Sequence, residues 1–280
     1  MNRRPTLYRP VVDREPGWRR PVLVLTLLLT ALTTAVAIVF MSATQLTERN
    51  MAQRFLARAL HSLLEIDQFV LHAWPELEAA AADGSPILLE DFPVALQLDR
   101  AGLAEGPIAV SEAIAAATAS LVYDAGLDVL SESPRAFRIL SRGALFDGSV
   151  GRLTGGGHEL ASIGFIVSGT LAVLLVLATA AQVRGLYRIG APALAIGLGA
   201  ALVWIVAAVA RSAFEGQAET SADPFAADLG LIAADAVSVL VRNGAIVTVT
   251  AGVVGVLSLA AGGLLRALER ANIAQSARNR

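Results

Sequence analysis

The stretch PVLVLTLLLTALTTAVAIVFMSA, Pro21–Ala43, contains no Asp, Glu, Lys, Arg or His. As a helix it is roughly 35 Å long, enough to cross the roughly 30 Å hydrocarbon core of a bilayer. Three further stretches share the property: Ala161–Val183, Ile189–Ala210 and Gly244–Leu265. Together they predict an all-α integral membrane protein with four transmembrane helices. Intramembrane ionisable residues usually mark ion paths and proton relays, and these stretches hold none, so no ion-coupled chemistry is read into the spans.

The charge distribution orients the spans. Residues 1–20 hold six Arg against Asp13 and Glu15, the link 184–188 holds Arg184 and Arg188, and the tail 266–280 holds four Arg against Glu269. These segments sum to +9, whereas 44–160 and 211–243 sum to -11. Excess Arg marks the cytoplasmic side. Both termini and the 184–188 link are therefore expected in the cytoplasm, and the segments 44–160 and 211–243 outside it, at a cell membrane. Ala35-Val36-Ala37 resembles a signal-peptide cleavage site, but the apolar run continues to Ala43, so residues 21–43 read as a retained anchor. All 22 basic residues are Arg, which reads as genomic base composition, and no nucleic-acid role follows. The absence of cysteine excludes disulfides and thiolate chemistry.

Beyond the first span, Ala52, Leu56, Ala59, Leu63, Ile66 and Val70 recur at helical spacing, with Arg54, Arg58, His61, Glu65, Gln68 and His72 as a polar stripe. The spacing predicts an amphipathic helix. Neither Gly nor Pro falls between Pro21 and Pro75, so one helix of roughly 80 Å is expected to run from the first span into the outer domain. Pro75, Asp83-Gly84-Ser85-Pro86 and Asp91-Phe92-Pro93 read as turns. Val94, Leu96 and Leu98, followed by Ile108–Val110, suggest a short strand pair. A helix is expected over Glu112–Leu130 with Ser111 as its cap, and another from Ser133-Pro134. Five Gly between Asp147 and Gly157 read as a flexible lead-in to the second span. The outer domain is thus mainly helical. In the second outer segment, Asp223-Pro224 reads as a helix start, with Phe225, Leu229, Ile232, Ala236 and Val239 on one face and Asp228 and Asp235 off it.

Small residues recur at helical spacing within the spans: Gly164, Ser168 and Ala172, then Ala193, Gly197 and Ala201, then Gly244, Thr248, Gly252, Gly255 and Gly262. Such faces let helix backbones approach closely in lipid, and these residues are the helix-packing candidates, within the chain or against another subunit. No catalytic, cofactor-binding or metal site is assigned. His61 and His72 are about 16 Å apart on one helix, too far to share an ion, and His61 with Glu65 reads as a solvated pair. The glycines of 148–157 lack a phosphate-loop pattern, and the acids Glu76, Glu78, Asp83, Glu90 and Asp91 lack calcium-loop spacing. Trp18 and Tyr187 are expected in the headgroup layer and Trp204 in packing.

These features predict a non-enzymatic multi-pass protein, an accessory, sensory or scaffold subunit of a membrane complex with an acidic extracytoplasmic domain. Its expected partners are membrane lipids and either other proteins or further copies of itself. The layout, a large loop between spans one and two and a small one between three and four, resembles the cell-division and mechanotransmission group of ABC membrane subunits. That resemblance covers the arrangement of spans and no motif. It implies, as the alternative, a permease or transport subunit for an apolar or lipid-like substrate. The five-residue link is short for a helix that would dock an ATPase.

Overall fold

A computed structural model describes residues 19–82, 87–89, 92, 94, 96–98, 100–126, 129 and 152–278. Within them lie helices α1 (Arg19–Thr47), α2 (Arg49–Leu63), α3 (Ile66–Ala82), α4 (Arg100–Ala104), α5 (Pro107–Ala125), α6 (Gly155–Gln182), α7 (Tyr187–Thr220) and α8 (Pro224–Arg278). A two-residue antiparallel pair, β1 (Ile87–Leu88) and β2 (Gln97–Leu98), sets Ile87 opposite Leu98. The architecture is all-α. Five helices among the described residues, α1, α5, α6, α7 and α8, are long and apolar enough to cross a membrane. That is one more than the sequence reading counted. The extra one, α5, is the least apolar of the five and the most buried within the protein.

α2, α3, α5 and the first turns of α8 share one apolar core, with Leu56, Leu60, Ile66, Val70, Ile114 and Val122 fully enclosed and Phe225 and Ile232 beside them. On α5 the buried positions 110, 111, 114, 115, 118, 119, 122 and 123 trace a broad helical stripe, which packing on two sides requires. The amphipathic face read from the sequence is the buried one: Ala52, Leu56, Ala59, Leu63, Ile66 and Val70 are all buried.

The long uninterrupted first helix is not formed. It breaks at Glu48, whose ψ of 135° is extended, and again at Leu64–Glu65, where Glu65 takes a φ of 49°. Helix propensity allows continuity, but a straight rod would hold the apolar face of α2 away from α5. Burying Leu56 and Leu60, at roughly 1.5–3 kcal/mol per large side chain, outweighs the 1–3 kcal/mol of a strained residue.

Several local readings change with it. Pro75 lies inside α3; it has no N–H for the Leu71 carbonyl, and Leu71 is 65% exposed, so water can satisfy that group. β2 contains Leu98, but its partner is β1, and Ile108–Val110 belong to α5. α5 begins at Pro107 after Gly106, whose φ is 99°, and ends before Gly126, φ 83°. Ser111 is therefore a buried interior residue and not a cap. Gly155–Gly157 form the first turn of α6, capped by the Thr154 hydroxyl, which accepts from the Gly157 N–H. The helix expected from Ser133-Pro134, the turn at 83–86 and Trp18 lie outside the described residues.

α1 is the central helix of the apolar bundle and packs on α6, α7 and α8. With α6 it runs antiparallel, fixed by Thr47 to His158 Nδ1 at 3.2 Å at one end and Gln182 Nε2 to Thr26 Oγ1 at 3.4 Å at the other. Ala35, Ile38, Ala200 and Val203 close its contact with α7. α7 continues beyond Ala210 to Thr220, turns at Ser221–Asp223, and α8 starts where the Asp223 carboxylate accepts from the Phe225 N–H at 3.1 Å. α8 then runs unbroken for 55 residues, roughly 80 Å.

Gly199 is the tightest of these contacts, since a Cβ there would run into the Ala31 carbonyl of α1. Gly199→Val is expected to lower stability by about 1–3 kcal/mol through overpacking. Gly169→Ala, which faces open space, is expected to leave it unchanged. Circular dichroism during denaturing-detergent titration in mixed micelles measures both, and equal midpoints for Gly199→Val and wild type would show that α1 and α7 do not pack there.

Candidate functional site: a polar cleft at the foot of α8

α2, α5 and α8 enclose a cleft of about 400 Å³ at the point where the long helix enters the helical domain. Arg58, His61 and Ser62 are one face of α2 at spacings of three and four, and Glu112 and Asp228 approach from α5 and α8 over an apolar floor of Ala57, Ala115 and Ile232. Two bonds cross from α2 to α8. Ser62 donates to the Asp228 carboxylate, and Arg58 Nη1 meets Asp235 Oδ2 at 2.8 Å. Asp228 and Asp235 lie off the apolar face as read from the sequence, yet on the side that α2 covers. The Arg58 pair is more than half exposed, so water screens it to roughly 0–1 kcal/mol.

His61 turns the other way. Its Nε2 lies 2.8 Å from Asp67 Oδ2 on α3, a partner that the sequence reading did not name. The helix on which residues 61 and 65 would be neighbours ends at Leu63. The His61 hydrogen bond holds the Asp67 carboxyl below its ordinary range, opposed by slight burial and assisted by a Ser111 hydrogen bond and the His61 charge. Ser62 and His61 thus engage different carboxylates, and Ser62 is not placed on the imidazole as a nucleophile requires. Among the described residues no three His, Asp or Glu side chains are grouped to hold a metal ion.

At the junction of domain and bundle, Asn243 donates through Nδ2 to Ser42 Oγ and Gln45 Oε1, both at 2.9 Å. Tyr123 donates to the Thr47 carbonyl at 3.1 Å, and Arg49 pairs with Asp124 at 2.7 Å. These links tie the end of α1 to α5 and α8.

The helix-packing candidates fall along two seams. On α8, Gly244 meets the Trp204 backbone, Gly255 meets Leu194 and Gly262 meets Tyr187, while Gly197 of α7 lies on the Gly252 backbone and the Cβ position of Gly252 itself faces open space. The same antiparallel register thus holds along α7 and α8, and it continues to Gly230 against Ala218. Thr248 donates to the Gly244 carbonyl of its own helix. Gly164 lies under the Phe40 ring of α1, Ser168 is buried and donates to the Gly164 carbonyl, and Ala172 and Ala201 are half-buried. The Trp204 ring is 39% exposed. Tyr187 carries Arg266 over its ring at 4.3 Å. The sequence reading missed Gly190 and Gly199, which break the four-residue spacing, and the Asn243 and Ser42 pair, for which an amide beside an apolar run was the available signal.

These features define a helical bundle of the membrane-protein kind joined to a helical domain through one shared helix. No protein family, curated protein or solved structure matches the chain.

The His61–Asp67 bond braces the corner at Glu65, and its pH dependence has a definite sign. A lowered carboxyl contributes stability that is full above the ordinary carboxylate value near 4 and fades as pH falls through the lowered one. Asp67→Asn is expected to destabilise by about 0.5 kcal/mol at pH 7, the carboxylate being well exposed, and to differ from wild type progressively less below about pH 4. Thermal melts from pH 3 to 7 test this, and a difference that grows toward pH 3 would refute the assignment.

Proposed function

We propose that the chain is a four-span accessory or sensory subunit of a membrane complex, with α1, α6, α7 and α8 in the bilayer and the helical domain on its outer side. The Arg-rich tail and the Arg184–Arg188 link lie on the cytoplasmic side in this reading, and α5 is a core helix of the domain. α5 supports that role by packing on α2, whose exposed positions include Arg54 and Arg58. Those side chains fit water and not acyl chains.

One observation carries the proposal: Phe225 and Ile232 of α8 belong to the core of the helical domain, while the same helix continues through the apolar bundle to Arg278. A displacement of the domain therefore moves a rigid rod that emerges on the far side. In this reading the output goes to a partner protein. The transport-subunit alternative has less support, because α6 and α7 join through a turn of four residues, Val183–Leu186, with no room for a docking helix.

Purification in mild detergent from native expression, with identification of co-purifying chains, tests the assignment. A stoichiometric membrane partner is expected, and inserting two glycines after Arg266 is expected to uncouple it functionally without displacing it. A strictly monomeric protein with no partner would defeat the proposal.

A further inference from the structure

A second cleft, of about 370 Å³, opens sideways between α1 and α6, lined by Met41, Thr44 and Gln45 of α1, Glu48 at the break that follows it, and His158 and Phe165 of α6. Met41, Thr44 and Gln45 share one face of α1, and His158 and Phe165 lie two turns apart on α6. Because the two helices run antiparallel with Thr47 beside His158, depth along the cleft can be read from the sequence. Met41 and Phe165 belong to uncharged runs; Glu48 and His158 belong to the first polar turns beyond them. One end is apolar and the other polar. With the bundle in a bilayer, on which this inference rests, the cleft straddles the boundary between acyl chains and headgroups.

The polar end offers a specific set of groups. The Thr44 hydroxyl is taken up by the Phe40 carbonyl at 2.9 Å. Gln45 accepts from Asn243 through Oε1, which leaves its amide N–H groups as donors. The Thr47 hydroxyl donates to the Ala43 carbonyl at 2.7 Å, so His158 gives its Nδ1 hydrogen to Thr47 and Nε2 of the neutral ring is left as an acceptor. Glu48 contributes a carboxylate, and among the described residues neither Arg nor Lys lines the cleft. Donors from an amide suit a phosphate oxygen, and a carboxylate with an imidazole acceptor suits the N–H groups of an ammonium. A net-anionic headgroup would meet Glu48 with like charge, and a quaternary ammonium has no N–H to give it. Phe165, 37% exposed, leaves the apolar end open to surrounding chains.

We propose that this cleft binds a zwitterionic phospholipid with a primary-ammonium headgroup, its acyl chains along Met41 and Phe165, its phosphate at Gln45, and its ammonium at Glu48 and His158. Native mass spectrometry of the full chain in detergent, titrated separately with dioleoyl phosphatidylethanolamine, phosphatidylcholine and phosphatidylglycerol, tests it. One phosphatidylethanolamine per chain is expected to be retained about tenfold more tightly than either other lipid, as one charge-assisted hydrogen bond provides. Glu48→Gln is expected to remove the preference, Glu159→Gln, outside the lining, to keep it, and Met41→Trp, which fills the apolar end, to weaken retention of all three. Circular dichroism and elution volume establish that the variants are folded. Equal retention of the three lipids, or an unchanged preference in Glu48→Gln, overturns the proposal; recovery of the protein in buffer without detergent would instead overturn the membrane placement itself.

Discussion

The close approach of α7 and α8 sets the rest of the structure. Between helices surrounded by acyl chains, burying apolar side chains gains little, because lipid is as apolar as leucine, so association depends on dispersion at short range. Glycine supplies the short range. From Gly262 against Tyr187 to Gly230 against Ala218, one register is kept over a long antiparallel contact, and that register aims the start of α8 at the face of α2. Had α8 stood further off, the Ser62 and Arg58 bonds to Asp228 and Asp235 would have no partner within reach. The polar cleft is thus a consequence of packing in the bundle.

A division of labour between the two helices entering the domain follows. The break at Glu48 leaves α1 to position the domain through side-chain bonds, with Tyr123 on the Thr47 carbonyl and Asn243 on Ser42 and Gln45. α8 has no break, and its backbone bonds run from Pro224 onward through the domain core and the bundle. Side-chain bonds can exchange partners, whereas an intact helix transmits displacement along its axis. In the proposed sensory reading α8 is the moving part and α1 the fixed post.

How much of this was legible in the sequence depended on the range of the signal. Amphipathic periodicity named Ala52, Leu56, Ala59, Leu63, Ile66 and Val70, and all six are buried, because burying an apolar stripe is a local demand that any fold must meet. The breaks within that same stretch were not legible. Nothing in Thr47-Glu48-Arg49 or Leu64-Glu65-Ile66 disfavours helix, and the chain bends there only because α5, some fifty residues on, offers a face to cover. Ile108–Val110 misled for the complementary reason: β-branched residues suggested a strand, but Gly106-Pro107 was the stronger local signal and starts a helix.

The glycine seam was legible as composition and only partly as partnership. Spacing placed Gly244, Gly252, Gly255 and Gly262 on one face of α8 but could not say that Gly197 would meet Gly252 while Gly199, two residues on, turned to Ala31 of α1. Two glycines that close cannot share a helix face. Their presence on α7 means that this helix is approached closely from two sides, by α8 and by α1, and that requirement makes α7 the helix least able to shift. If the domain drives α8, the sliding surface is the face where Gly197 lies on the Ala251–Gly252 backbone, and the opposite face of α7 stays anchored to α1.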